Sequence, residues 1–329
     1  MVRTSSLLIG AAALALPLAE AFTSPAMARL PLRTAAMSKA SFGRPVLAAR
    51  KMAASSISME FAAPPAVYEA IVAAGETKAK MPAWKIFYMG LLAGAYISFG
   101  SCLAISIGGA CQGIVAAGNL GVQKMIFGAF GLPVGLLMVV VCGGELFTGN
   151  TAFLTAAAAE GKATPGEIAK SWIWSYMGNL VGSIAFAFLV FASGVLPAPT
   201  LATVKGMAVA KTSVAFLPLV LRGILCNWLV CIGIWQATAA KDIGSKAIAI
   251  WFPISAFVAM GFEHSVANMF FLPTALFNGA DISWKMIFMN NLLPVTIGNT
   301  IAGAFLVAMS YAIVFGTPGK KINAFFEGK

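Results

Sequence analysis

Two short segments hold most of the residues able to do chemistry in an otherwise apolar chain: GGELFTGNTAFLT at 143–155 and GFEHSVANMFFLP at 261–273. Each carries a carboxylate and, five residues on, an amide: Glu145 with Asn150, and Glu263 with Asn268. The second segment also holds His264, the single histidine among 329 residues. An imidazole exchanges protons near neutral pH, so His264 is the candidate proton-handling group; a packing histidine satisfied by a carbonyl is the plainer alternative. Glu145 and Glu263 read as structural acceptors for backbone N–H groups freed at a helix break, with proton carriage as the other reading. Glu263, His264 and Ser265 are residue types found in hydrolases, but consecutive residues point in different directions and form no relay among themselves. No enzyme activity is expected. A haem or pigment protein with His264 as axial ligand is the non-transport alternative, and a single histidine excludes its bis-histidine form. Cys102, Cys111, Cys142, Cys226 and Cys231 contain no CxxC pair, so no metal, disulfide or cofactor is expected.

The elements that position these residues follow from composition and repeat. The chain is 60% hydrophobic and 10% charged, with a mean hydropathy of +0.88, which marks an integral membrane protein. Its 33 glycines suit closely packed helices. Six apolar stretches can span a bilayer: Ile86–Ile107, Met125–Ala159, Ser171–Phe191, Val214–Ala237, Ala247–Asn278 and Leu292–Phe315. The second and fifth are too long for one crossing, and the two chemical segments interrupt them. The neighbours repeat too: GLLAGAYISFG from Gly90 aligns with GILCNWLVCIG from Gly223, and GNLVGS from Gly178 with GNTIAG from Gly298. Three spans per half force the second copy into the membrane upside down, bringing two broken helices together near the midplane. Broken backbone at that depth is tolerated where it lines a cavity or is buried in protein. An all-α membrane protein of six helices in an inverted 3+3 repeat, with a transport path between broken helices 2 and 5, is the expected fold.

The N-terminus reads as an address. Residues 1–21 have a basic start and a short apolar core, as in a signal peptide, and residues 22–59 are Ser- and Ala-rich with six basic and no acidic residues, as in a transit segment. Together they point to a plastid envelope membrane; a plain secretory signal with a basic spacer, and a plasma or other endomembrane location, is the alternative. Without residues 1–59 the net charge falls from +11 to +5, with 15 basic and 10 acidic residues remaining. These lie near span ends, so a nucleic-acid partner is not expected. An amphipathic lead-in at 60–85, a membrane domain at 86–316 and a tail at 317–329 complete the division. The Lys/Arg distribution puts both termini on the cytosol-equivalent side.

Four segments in order and spacing, VCGGELFTGN at 141–150, GILCNWLVC at 223–231, GFEHSVANMFFLP at 261–273 and LLPVTIGN at 292–299, resemble the formate/nitrite transporter family. The likeness runs from about Ala63 to Phe315, and the N-terminal address narrows it towards the plastid nitrite transporters of algae. The resemblance implies an aquaporin-like protomer, a homopentamer with one pore per protomer, and passage of small monovalent anions. Nitrite is the leading substrate, with formate as well and a bicarbonate channel of a carbon-concentrating system as the alternative. It also implies roles: His264 as the central histidine, Thr148 as its partner, and Asn227 and Asn299 as pore-facing amides; a helix cap is the plainer reading of Thr148. Leu136, Leu146, Phe147, Val230 and Phe257 fall on constrictions, and Lys211 on an anion-drawing vestibule position. Leu132, where Phe is common, and Arg222, inside the fourth span, depart from the family pattern.

Overall fold

A computed structural model describes residues 61–328; the signal and transit segments lie outside the described residues. In chain order the helices are α1 (Pro64–Lys80), α2 (Ala83–Gly108), α3 (Gln112–Ala116), α4 (Leu120–Ala129), α5 (Leu132–Cys142), α6 (Phe147–Ala159) and α7 (Pro165–Ser193). The second half follows with α8 (Ala198–Thr212), α9 (Phe216–Ala239), α10 (Ile243–Met260), α11 (Ser265–Phe277), α12 (Met286–Phe315, with two π-helical stretches) and α13 (Thr317–Phe326). Among the described residues, six are long and apolar enough to cross a membrane: α2, α4 with α5, α7, α9, α10 and α12. The expected all-α, six-span membrane fold is the observed one. Each half reads as lead-in helix, span, span, half-helix, span.

The two breaks are built alike. α5 ends at Gly143 with φ 80° and α10 at Gly261 with φ 77°, left-handed values that glycine adopts without a Cβ clash. A short extended link follows in each, and the chain restarts as α6 or α11. Close glycine contacts fix the spans behind them: a Cβ on Gly178 would lie 2.9 Å from the Gly90 Cα, and one on Gly298 would lie 3.0 Å from the Gly223 Cα. α2 therefore packs on α7, and α9 on α12, backbone against backbone. This is the physical content of the repeated Gly-Asn pairs, because the asparagine after each glycine is brought within reach of a break.

Three features differ from the expectations. The second span is broken a second time, at Phe130 and Gly131, because Pro133 starts a fresh helix at α5 and removes an N–H. The segment before the fourth span forms α8, and the tail forms α13. The lead-in folds as α1, with Val67, Tyr68, Ile71, Val72, Gly75 and Ala79 buried at helical spacing.

Candidate functional site

Asparagine amides hold the two breaks in shape. Asn179 Nδ2 donates to the carbonyls of Gly90 (2.8 Å) and Glu145 (2.9 Å), and its Oδ1 accepts from the Phe147 N–H at 2.9 Å. Asn299 repeats the pattern, donating to Gly223 (2.8 Å) and Glu263 (3.0 Å) and accepting from the Ser265 N–H at 2.9 Å. These bonds satisfy backbone groups that have no helical partner. Asn227 donates to the Thr148 carbonyl at 3.1 Å and the Asn299 carbonyl at 2.6 Å, while its Oδ1 has no hydrogen-bond partner. Asn227 and Asn299, expected to face the pore, line neither of the two cavities nor the plug between them. Both are fully buried behind the breaks, with their amide hydrogens committed to carbonyls.

The carboxylates act together with lysines. Glu145 accepts from Asn150 Nδ2 at 2.9 Å and from Lys78 Nζ at 2.6 Å; Glu263 accepts from Asn268 Nδ2 at 2.7 Å and from Lys211 Nζ at 2.8 Å. The five-residue Glu–Asn spacing is what lets each side chain reach back across a break. The freed N–H groups expected to be their donors go instead to Asn179 and Asn299. Lys211 is ion-paired, with 16% of its side chain exposed. Lys78 is its counterpart in the first half, and the sequence carried the signal: the two lysines are 133 residues apart, as are Gly90 and Gly223.

These groups line two cavities separated by an apolar plug. The α8 cavity, about 230 Å³, is lined by Lys124, Met207, Lys211, Glu263 and His264 among others. The α1 cavity, about 360 Å³, is lined by Thr77, Lys78, Glu145 and Leu146 among others. Between them a gap of about 10 Å³ is lined by Ile97, Leu132, Leu136, Leu146, Val230, Ile254, Phe257 and His264. A space of that size holds at most one water. The plug is itself a repeat, pairing Ile97 with Val230, Leu136 with Ile254 and Leu146 with His264 at the offsets of 133 and 118 residues that relate the two halves. Those offsets identify Ile97 and Ile254, which motif matching missed.

Phe147 requires a correction. Its ring meets Tyr176 edge-on at 5.0 Å and Trp172 at 6.5 Å, and it lines a lateral cleft with Met289 and Leu292. Residues 146, 147 and 148 open a half-helix and point in three directions, so Leu146 enters the plug while Phe147 packs outward.

His264 is the N-cap of α11, its Nδ1 accepting the Ala267 N–H at 3.1 Å. In the neutral ring the hydrogen therefore sits on Nε2, which lies 3.0 Å from Thr148 Oγ1. The bond joins the two half-helices. No side chain caps α6, so Thr148 faces the histidine instead of acting as a cap. His264 lines both the α8 cavity and the plug, with its ring 6.0 Å from that of Phe257. No group of three or more His, Cys, Asp or Glu suited to a metal occurs among the described residues.

The architecture matches known transporters. Residues 65–313 match the family model for formate/nitrite transporters. A probable formate transporter of Methanothermobacter thermautotrophicus is 41% identical over 268 residues, covering 76% of this chain and 96% of the relative. The nitrite transporter NirC of Escherichia coli K12 is 37% identical over 224 residues, covering 67% of this chain and 80% of the relative. Among solved structures, a pentameric formate channel with formate bound superposes with a TM-score of 0.61 at 29% identity, covering 71% of this chain and 97% of that one. With the family model spanning nearly all of the described chain, this multi-pass membrane protein belongs to the formate/nitrite transporter family.

Proposed function

We propose that the protein moves nitrite and formate across a membrane through one pore per protomer, as a homopentamer, with proton transfer by way of His264. The observation that carries this reading is the position of His264, which is shared by a lysine-bearing cavity and an apolar plug. A bare anion crossing a bilayer core faces a desolvation penalty on the order of tens of kcal/mol, and the plug supplies no compensating charge. A weak acid crosses such a plug cheaply once protonated. The anion enters the α8 cavity, accepts a proton from His264, passes Leu136, Leu146 and Val230 as the neutral acid, and ionises again beyond them. His264 first takes a proton on Nδ1 from solvent in the α8 cavity, which releases the Ala267 N–H, and it returns to the neutral ring when the anion accepts that proton; the doubly protonated ring is a brief state supported by the arriving anion. The family and the names of the relatives support the substrate class, and the pentameric neighbour supports the assembly. The basic, Ser- and Ala-rich N-terminus supports a plastid envelope location.

The test is proton-coupled uptake in proteoliposomes. His264→Phe is expected to abolish coupled nitrite and formate uptake while the protein stays folded; unchanged coupled uptake would refute the mechanism. Bicarbonate run in parallel across pH separates the substrates, because its acid is far weaker than nitrous or formic acid.

A further inference from the structure

The two cavities share one plan but not one charge. Among the described residues, Lys78 and Glu145 are the charged groups lining the α1 cavity, and they neutralise each other at 2.6 Å. In the α8 cavity Lys211 and Glu263 do the same at 2.8 Å, but this cavity has a further cation, Lys124. Lys124 is exposed and has no ion-pair partner among the described residues. Its helix is held in place on both sides: Gln123 Nε2 donates to the Gly108 carbonyl at 2.9 Å, and Phe127 packs on Phe271 of α11 with ring centroids 6.3 Å apart. α4 has no counterpart in the second half, where α10 runs as one helix from Ile243 to Met260. The repeat therefore supplies the paired lysines twice and the unpaired one once.

We propose that Lys124 is the anion-capture residue of the α8 cavity, and that it lets that face reach half-saturation at a lower anion concentration than the α1 face. The inference rests on the anion-transport reading. Lys211 attracts an anion weakly, because its neighbour Glu263 repels the same anion at nearly the same distance. Lys124 presents an uncompensated charge at the rim, and the apolar walls of the cavity focus its field inward. At a separation of about 6–7 Å in a largely aqueous mouth, one unit charge changes the local anion concentration about threefold. Salt at about 0.5 M should screen most of that gain.

The test measures initial formate rates in proteoliposomes of known protein orientation, from each face, at about 20 mM and about 0.5 M ionic strength. Lys124→Gln should raise the apparent KM about threefold for uptake from the α8 face at low salt. The maximal rate from that face should rise in step, because a weaker capture site also releases its anion to the plug more readily, and uptake from the α1 face should change little. Lys124→Arg should restore the wild-type value, Lys124→Glu should raise KM further, and high salt should erase the differences. A KM unchanged in Lys124→Gln, or an increase equal from both faces or insensitive to salt, overturns the capture role while the transport reading stands. A wild-type protein that moves neither formate nor nitrite overturns both.

Discussion

Thr148 and His264 belong to different halves of the molecule and meet through one bond of 3.0 Å. Each is fixed from behind. The Thr148 carbonyl accepts from Asn227 and from Thr151 Oγ1 at 2.6 Å, while the imidazole is held by the Ala267 N–H. Thr148→Val keeps the shape of the side chain but leaves the Nε2–H buried without an acceptor, a loss of about 1–3 kcal/mol. The expected outcome is a protein less stable to heat in detergent whose nitrite uptake loses its wild-type pH profile, with Thr148→Ser restoring both. If Thr148→Val keeps the wild-type rate and pH profile, the hydroxyl serves packing alone. The same pair shows what the duplication left unequal: His264 occupies the place of Leu146, and Val266 that of Thr148, so the polar contact is made once across the pseudo-two-fold axis.

At the scale of elements, α6 is secured at both ends. Its first turn faces His264, and just past its last residue Glu160 accepts from Tyr68 of α1 at 2.8 Å and from Thr317 N and Oγ1 at 2.9 and 2.6 Å. Glu160 thus joins the lead-in helix, the half-helix and the start of α13. Burial alone would raise the pKa of Glu160, but the donors from Thr317 and Tyr68, with Lys320 nearby, together hold it below the usual 4.5. A depressed carboxyl stabilises the folded arrangement above its unfolded value, and that contribution is lost as pH falls through the folded one. Amide exchange in α13 should therefore be constant above about pH 5 and rise, after correction for intrinsic rates, below about pH 4.5. Glu160→Gln should give the fast exchange at neutral pH. Equal protection in wild type and Glu160→Gln at pH 7 would show that α13 is held by other contacts.

The elements also show what the sequence made legible. Glycine, asparagine and carboxylate recur at fixed offsets because they hold backbone geometry that both halves need, so the breaks and the six spans could be read directly. Lys78 could be read by the same rule, but a basic residue at a span end also satisfies membrane topology, and that explanation concealed it. Phe147 could not be placed, since motif matching gives a position in the chain and not the direction of a side chain at a helix start. Nor was α8 visible as a helix, because its polar, Gly- and Thr-containing stretch resembles a loop until it packs on the membrane domain.

On the scale of the whole molecule, Arg222 is informative through its surroundings. It lies on α9 at the level of the second break, where its carbonyl accepts the Glu263 N–H at 3.3 Å. Its side chain is exposed on the outer face of the protomer, beside Leu221 and Leu225, and lines neither cavity. No acidic partner for it occurs among the described residues. The bundle interior and the vestibules are thereby ruled out, which leaves a protomer interface or the lipid. An arginine facing hydrocarbon at such depth costs about 2.5–3.5 kcal/mol even on insertion scales, whereas an interface offers carbonyl acceptors and excludes the acyl chains. Within the proposed pentamer, Arg222→Met should leave helicity and protomer fold intact but release monomers in mild detergent, as read by native mass spectrometry. The opposite result is equally specific. A pentamer as stable as wild type, or a protein more resistant to heat, would mean that the guanidinium reaches the lipid headgroups and that the protomers associate through other surfaces.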